Sequence, residues 1–243
     1  MNQSVSNDRK MKPKSVKTPF YRRWMAAFLA IFFRLLYHQF AWFYDSFASL
    51  VSLGRWKTWV LSVQPYVTGS SVLEIGHGPG HLLEALLECG VHAVGLDESW
   101  QMSALAFKRL RKRSFESMLV NGYAQFFPFS STSFDQVVAT FPSEYISHPA
   151  TLAEISRILT PNGQLIVVPF ARITGPHWSD RLAAWLFRVT GQAPKRQQPM
   201  QTYARPFTQT FEQNGFFTQV QCLELVSSQI LVIVATKAPH AKD

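Results

Sequence analysis

The chain has 243 residues, a net charge of +9 and a composition that is 47% hydrophobic and 16% charged. That size and apolar content suit one large domain with a small appendage, and exclude a chain disordered throughout. Two distant cysteines, Cys89 and Cys222, exclude a disulfide framework, and no Cys/His cluster has metal-ligand spacing, so a reducing, cytoplasmic setting without metal is expected.

Residues 1–19 are polar, basic and proline-punctuated, and read as a flexible tail. Residues 20–63 read as an N-terminal helical cap. Within them, Arg23, Ala27, Ala30, Arg34, His38, Ala41 and Asp45 recur at spacings of four or three, one small-or-polar stripe on an otherwise greasy helix. Two readings stand side by side. In one, residues 1–44 lie on an anionic membrane surface behind the basic tail, peripheral on the cytoplasmic face. In the other, the apolar side covers the main domain. The excess of aromatics, 20 Phe, 7 Trp and 7 Tyr, fits a ligand, a membrane or a partner beyond core needs.

From residue 64 to 238 the pattern alternates. Strands are predicted at Ser71–Ile75, Val91–Leu96, Met118–Val120, Phe134–Thr140, Gln164–Pro169, Phe216–Leu225 and Gln229–Thr236. Helices are predicted at His81–Glu88, Ser99–Lys112 and Pro149–Leu159. The expected fold is α/β, a doubly wound, mostly parallel seven-stranded sheet. The last two strands are too close for a crossover and should form an antiparallel hairpin. A lid insertion is expected at about 171–205, with a short helix at Leu182–Val189, and residues 239–243 form a short tail. The basic run Lys108–Arg113 reads as a solvated helix end that complements the macrodipole.

Val72-Leu73-Glu74-Ile75-Gly76-His77-Gly78-Pro79-Gly80 is a buried strand running into a glycine-rich turn and a helix. Glycines 76, 78 and 80 allow a tight turn against a ligand, and the following helix aims amide donors at the loop. A dinucleotide fingerprint requires glycine at position 81, which is His81. Glu74 would repel a pyrophosphate and attract the ammonium or sulfonium of S-adenosylmethionine. Asp97, ending the second strand, can accept hydrogen bonds from both ribose hydroxyls.

With these residues in place, the sequence resembles the class I methyltransferase superfamily. The likeness is greatest to its type 11-like branch, akin to ubiquinone/menaquinone C-methyltransferases, and it runs from about residue 41 to 236. The resemblance implies a Rossmann-like methyltransferase fold and S-adenosylmethionine as cofactor. Asp97-Glu98-Ser99-Trp100-Gln101-Met102 looks like the family's acid-x-Ser-x-x-Met signature, which implies that Met102 packs on the adenine. Asn121-Gly122-Tyr123-Ala124-Gln125 is similar to its Gly-Asp-Ala stretch, with Tyr123 where the adenine-binding acid usually stands. Ala124 and, at the end of the fourth strand, Thr140 are implied to line the same pocket. His77, inside the glycine loop, is counted with the cofactor residues as a packing or capping side chain. The Asn-Asp pair of the quinone methyltransferases is here Ala48-Ser49.

Methyl transfer needs positioning above all, and a base only for a poor nucleophile. Candidates therefore lie beyond the strand ends: Glu144 and Tyr145 to orient an acceptor, His177 or His148 as a base. The expected acceptor is a small hydrophobic molecule such as a quinone precursor or lipid. RNA methylation and non-catalytic cofactor binding are the competing readings. Against RNA, the basic residues sit in a tail and one helix end, not interleaved with aromatics along a groove.

Overall fold

The computed structural model describes Ser52, Asp180 and residues 54–116, 118–178 and 198–238. The expected tails at 1–19 and 239–243, the amphipathic stripe and membrane contact of residues 1–44, and the helix at Leu182–Val189 lie outside the described residues.

In chain order the elements are α1 (Trp56–Leu61), β1 (Ser71–Ile75), α2 (His81–Glu88), β2 (His92–Asp97), α3 (Trp100–Lys112), β3 (Leu119–Asn121) and β4 (Phe134–Thr140). There follow α4 (Pro149–Ile158), β5 (Leu159–Val168), β6 (Ala171–Ile173), α5 (Met200–Gln213), β7 (Phe216–Leu225) and β8 (Ser228–Lys237). The sheet runs β3-β2-β1-β4-β5-β8, with β6 and β7 also paired to β8. β1 to β5 are parallel, while β8 runs antiparallel to β5, β6 and β7. β6 continues β5 along the same flank of β8, so the sheet is seven strands wide, as expected.

Residues alternate between the two faces with the period of two that a strand imposes. Leu73, Ile75, Val137, Ala139, Leu165 and Val167 face one way, against Leu152 and Ile155 of α4 and Ala204 and Phe211 of α5. Val72, Ala93, Val138, Ile166 and Val232 face the other, against Trp59 of α1, Leu82 and Leu86 of α2 and Leu110 of α3. Each fully buried Val, Leu or Ile among them contributes about 1.5–3 kcal/mol.

The outermost sequence boundaries shift slightly. Ser99 caps α3 from outside, accepting a hydrogen bond from Met102 N at 3.3 Å. The Thr160–Gly163 turn loops out of β5: Phe134 pairs with Leu159 and Gln136 resumes with Gln164. The insertion expected at 171–205 is shorter among the described residues, because its start forms β6 and its end belongs to α5. The α5 helix has no counterpart in the sequence reading. Pro206 interrupts it and its first turn lacks a carboxylate, so propensity is poor, and burial of Met200, Ala204 and Phe211 holds it instead.

One consequence of strand order positions the site. From β1 the chain winds outward through β2 to β3, then returns to place β4 on the other side of β1. The C-terminal ends of β1 and β4 therefore flank a topological switch point, where helices depart to opposite faces and leave a crevice.

Candidate active site

β1 carries Glu74 and Ile75 to that crevice, and the chain then turns through the glycine loop. Gly76 donates its N–H to Leu96 O at 2.7 Å, tying the loop to the end of β2. Its φ of +67° and the Tyr145 hydroxyl, 2.8 Å from where a Cβ would stand, both require glycine. Gly80, at φ +79°, brings the start of α2 so near α3 that a Cβ there would stand 2.9 Å from Ala106 Cβ. Arg109 of α3 holds the outer side of the loop, donating to Pro79 O at 2.8 Å and pairing with Glu84 at 3.6 Å. The basic run is thus more than a solvated helix end.

Asp97 lies directly across the loop. Its Oδ2 accepts from Gly78 N at 2.9 Å and its Oδ1 from Ser99 N at 2.8 Å. These bonds fix the carboxylate at the crevice wall with only 1% of its surface exposed. Glu74 is equally buried, and its Oε2 makes no hydrogen bond. Burial first, and the negative charge of Asp97 second, push its carboxyl well above the usual carboxylate range. A buried carboxyl with a vacant oxygen beside a second carboxylate is a place for a cation.

His77 fills the space beneath the loop. Its Nδ1 donates to Gly78 O at 2.7 Å, and its Nε2 stands 3.5 Å from Ser103 Oγ. Burial lowers its pKa, with Asp97 opposing, so the ring is held neutral. It packs so tightly on β2 that a Cβ at Gly95 would come within 2.7 Å of its Cδ2.

These groups open into a cavity of about 850 Å³. Glu74, Gly76, His77, Gly78 and Asp97 form one wall, and Gly122, Tyr123 and Ala124 another. Thr140, Phe141 and Tyr145 come from the end of β4 and beyond, while Trp56 and Val60 of α1 close the remaining side. Phe141 adopts φ +52°, a costly conformation for a bulky side chain. Its N–H bonds Val168 O at 2.7 Å, and its ring lies 4.7 Å from Trp56 and 6.3 Å from Trp59. Trp59 in turn donates from its indole to Ser228 Oγ at 3.0 Å, which fixes α1 on β8.

The sequence-derived residues divide clearly. Glu74, Gly76, His77, Gly78, Asp97, Tyr123, Ala124, Thr140 and Tyr145 line the cavity. Gly80 and Met102 do not: Gly80 serves helix approach, and Met102 is fully buried inside α3. Of the four residues expected at the chemistry, only Tyr145 reaches the cavity. Glu144, His148 and His177 are exposed and absent from its walls. His148 instead caps α4, accepting from Ala150 N at 3.2 Å. Tyr145 donates to Ile75 O at 3.3 Å, and burial together with the charges of Asp97, Glu74 and Glu98 raises its pKa far out of range. Its phenol therefore stays neutral. The residues not anticipated include Trp56, Val60 and His81. Residues 20–63 read as a cap, but no local pattern marks Trp56. Among the described residues no group of His, Cys, Asp and Glu could hold a metal ion.

The model of the methyltransferase domain family matches residues 72–163, the stretch from β1 to the turn within β5. A demethylmenaquinone methyltransferase of Renibacterium salmoninarum is 32% identical over 138 residues, covering 55% of this chain and 56% of that protein. A ubiquinone/menaquinone biosynthesis C-methyltransferase of Bartonella quintana is 27% identical over 165 residues, covering 63% and 64%.

The chain carries a methyltransferase domain.

It spans less than two thirds of the length of either relative. Among solved structures, magnesium protoporphyrin IX methyltransferase from Synechocystis with bound S-adenosylhomocysteine superposes with a TM-score of 0.52 at 16% identity, covering 75% of this chain and 83% of that one. A Haemonchus contortus phosphoethanolamine N-methyltransferase, also with S-adenosylhomocysteine, gives 0.54 at 16% identity, covering 77% and 53%. At such identities the shared feature is the fold, and it is the Rossmann-like methyltransferase fold.

Proposed function

We propose that the chain transfers the methyl group of S-adenosylmethionine to a small hydrophobic acceptor held against Trp56 and Phe141. The observation that carries this reading is the Glu74 Oε2 atom, buried at the cavity wall without a hydrogen bond, beside an Asp97 fixed by the glycine loop. The residues fit the cofactor. Glu74 supplies a carboxylate for a cationic group, Asp97 an acceptor for ribose hydroxyls, and Tyr123 with Ala124 a wall for the base. When bound, the cofactor supplies a methyl group on an already activated sulfonium leaving group.

What remains for the protein is to position the acceptor and exclude water. The Trp56 and Phe141 rings, in contact and tilted by 33°, offer with Val60 an apolar aromatic wall to an acceptor. Tyr145 can hold an acceptor oxygen without taking its proton, since its phenol stays neutral. The relatives named for demethylmenaquinone and for ubiquinone/menaquinone biosynthesis support a quinone precursor as acceptor, at 32% and 27% identity. Lipids and other planar apolar molecules share the same chemistry.

The test incubates the full chain with radiolabelled S-adenosylmethionine and a panel of demethylated quinone precursors, other apolar aromatics and unstructured RNA. Labelled methyl in an apolar acceptor, lost in Phe141→Ala, supports the reading. Label in RNA alone, or cofactor binding without S-adenosylhomocysteine formation with any acceptor, overturns it.

A further inference from the structure

α3 has the sequence WQMSALAFKRLRK, without a carboxylate. Met102, Ser103, Ala106 and Leu110 are its buried side. Trp100, Ala104, Phe107 and Arg111, spaced four, three and four apart, form one outward stripe, with Lys108 and Lys112 alongside. Trp100 is 72% exposed and Phe107 58%. The strand that follows, β3, is the edge of the sheet, and Met118 before it and Tyr123 and Phe126 after it are exposed as well. Five of the eight exposed large hydrophobic side chains among the described residues therefore fall between positions 100 and 126. Phe126 turns toward α4, but Trp100 and Phe107 on α3, with Met118 and Tyr123 flanking the adjacent β3, lie along one margin of the sheet, where scattered single rings would be ordinary and such a row is not.

The charge is similarly one-sided. Arg109 and Arg113 are held by Glu84 and Glu88. Lys108, Arg111 and Lys112 have no ion pair among the described residues, and the nearest acids in sequence, Glu98 and Glu116, stand beyond the two helix ends.

We propose that this face of α3, with the β3 edge beside it, docks on an anionic lipid bilayer. Exposed indole and phenyl rings next to cations free of acids match the amphipathic region between water and acyl chains, with lysine and arginine reaching the headgroup phosphates. Single-stranded nucleic acid is matched by aromatics within a basic groove, whereas this face is the convex side of a helix. Tyr123 belongs both to this edge and to the cavity, so docking sets the cavity mouth beside the bilayer. The proposal is independent of the methyl-transfer reading, because lipid binding is measured without turnover.

The test is co-sedimentation of the full chain with vesicles of phosphatidylglycerol and phosphatidylcholine in equal parts, and of phosphatidylcholine alone. Binding is expected to the anionic vesicles only. Each basic side chain near such a surface strengthens partition roughly fivefold, so Lys108→Gln/Arg111→Gln/Lys112→Gln should weaken it roughly a hundredfold at low salt. Trp100→Gln/Phe107→Gln should weaken it at all salt concentrations. Unchanged melting and unchanged S-adenosylhomocysteine affinity establish that both variants fold, and Lys108→Gln alone serves if the triple variant does not. The proposal is overturned if the parent binds neither vesicle or both equally, or if the variants bind like the parent. It is equally overturned if these substitutions abolish self-association or RNA binding while no vesicle binding is seen.

Discussion

Asp97 and Glu74 are both carboxylic acids at neighbouring strand ends, yet the fold treats them oppositely. Asp97 receives the Gly78 and Ser99 amides, while Glu74 faces Asp97 from a dry position with an oxygen to spare. Asp97→Ala is expected to weaken S-adenosylhomocysteine binding by about 1.5–3 kcal/mol, the loss that goes with hydrogen bonds to a charged group. Titration calorimetry showing unchanged affinity would remove Asp97 from the site. Glu74 makes a pH prediction. Its pKa is raised in the free protein, and a cationic ligand favours its ionised form, so below the raised value binding must release a proton. Affinity for S-adenosylmethionine therefore climbs with pH, roughly tenfold per unit, until that value is passed. Calorimetry in buffers of different ionisation enthalpy counts the proton, and Glu74→Gln should flatten the slope. Both acids were legible in the sequence because each is set by adjacent residues on its own strand end. Glu144, His148 and His177 lie off the cavity walls, and nothing local in the sequence reports which way a loop side chain turns. His148 shows the competing demand: its ring is engaged at the first turn of α4.

At the scale of elements, the glycine loop depends on the contact between α2 and α3. Gly80→Ala combines a left-handed backbone cost of about 1–2 kcal/mol with a clash against Ala106, and should lower the melting temperature while leaving the sheet intact. A melting temperature equal to the parent's would show that α2 and α3 are not in close contact there. The strand-loop-helix unit from β1 to α2 was readable because its turn, period and cap all lie within one window of sequence. The place of Trp56 in the cavity and the α5 helix were not. Trp56 becomes a cavity residue only because Trp59 anchors α1 to Ser228 at the far end of the chain, and α5 is held by the sheet against its own Pro206. Phe141 belongs with them: its left-handed backbone is stabilised by the ring of Trp56, a partner distant in sequence. Trp59→Phe, which removes the indole bond to Ser228, should cost about 1 kcal/mol and loosen the aromatic wall, read as a lower melting temperature with weakened acceptor binding and unchanged cofactor affinity.

Across the whole molecule, the order of strands decides where chemistry can occur. The chain leaves the paired ends of β1 and β4 toward opposite faces of one sheet, and every polar group of the site hangs from strand ends or loops at that switch point. The arrangement places neutral His77 beneath the loop, and this has a cost in acid. Its folded pKa lies below the ordinary 6.5, so between those values the unfolded chain binds more protons and stability falls as pH drops. The difference in melting temperature between the parent and His77→Asn should therefore narrow on acidification through 6.5. A difference independent of pH would mean that His77 does not titrate on unfolding. The central claim, that the switch point at the ends of β1 and β4 holds a sulfonium nucleoside between Glu74 and Asp97, is tested most directly by a crystal structure with S-adenosylhomocysteine. Density with the ribose hydroxyls on Asp97 and the amino-acid end at Glu74 is the expected result. A ligand seated elsewhere, or a ribose out of hydrogen-bond reach of Asp97, would contradict it.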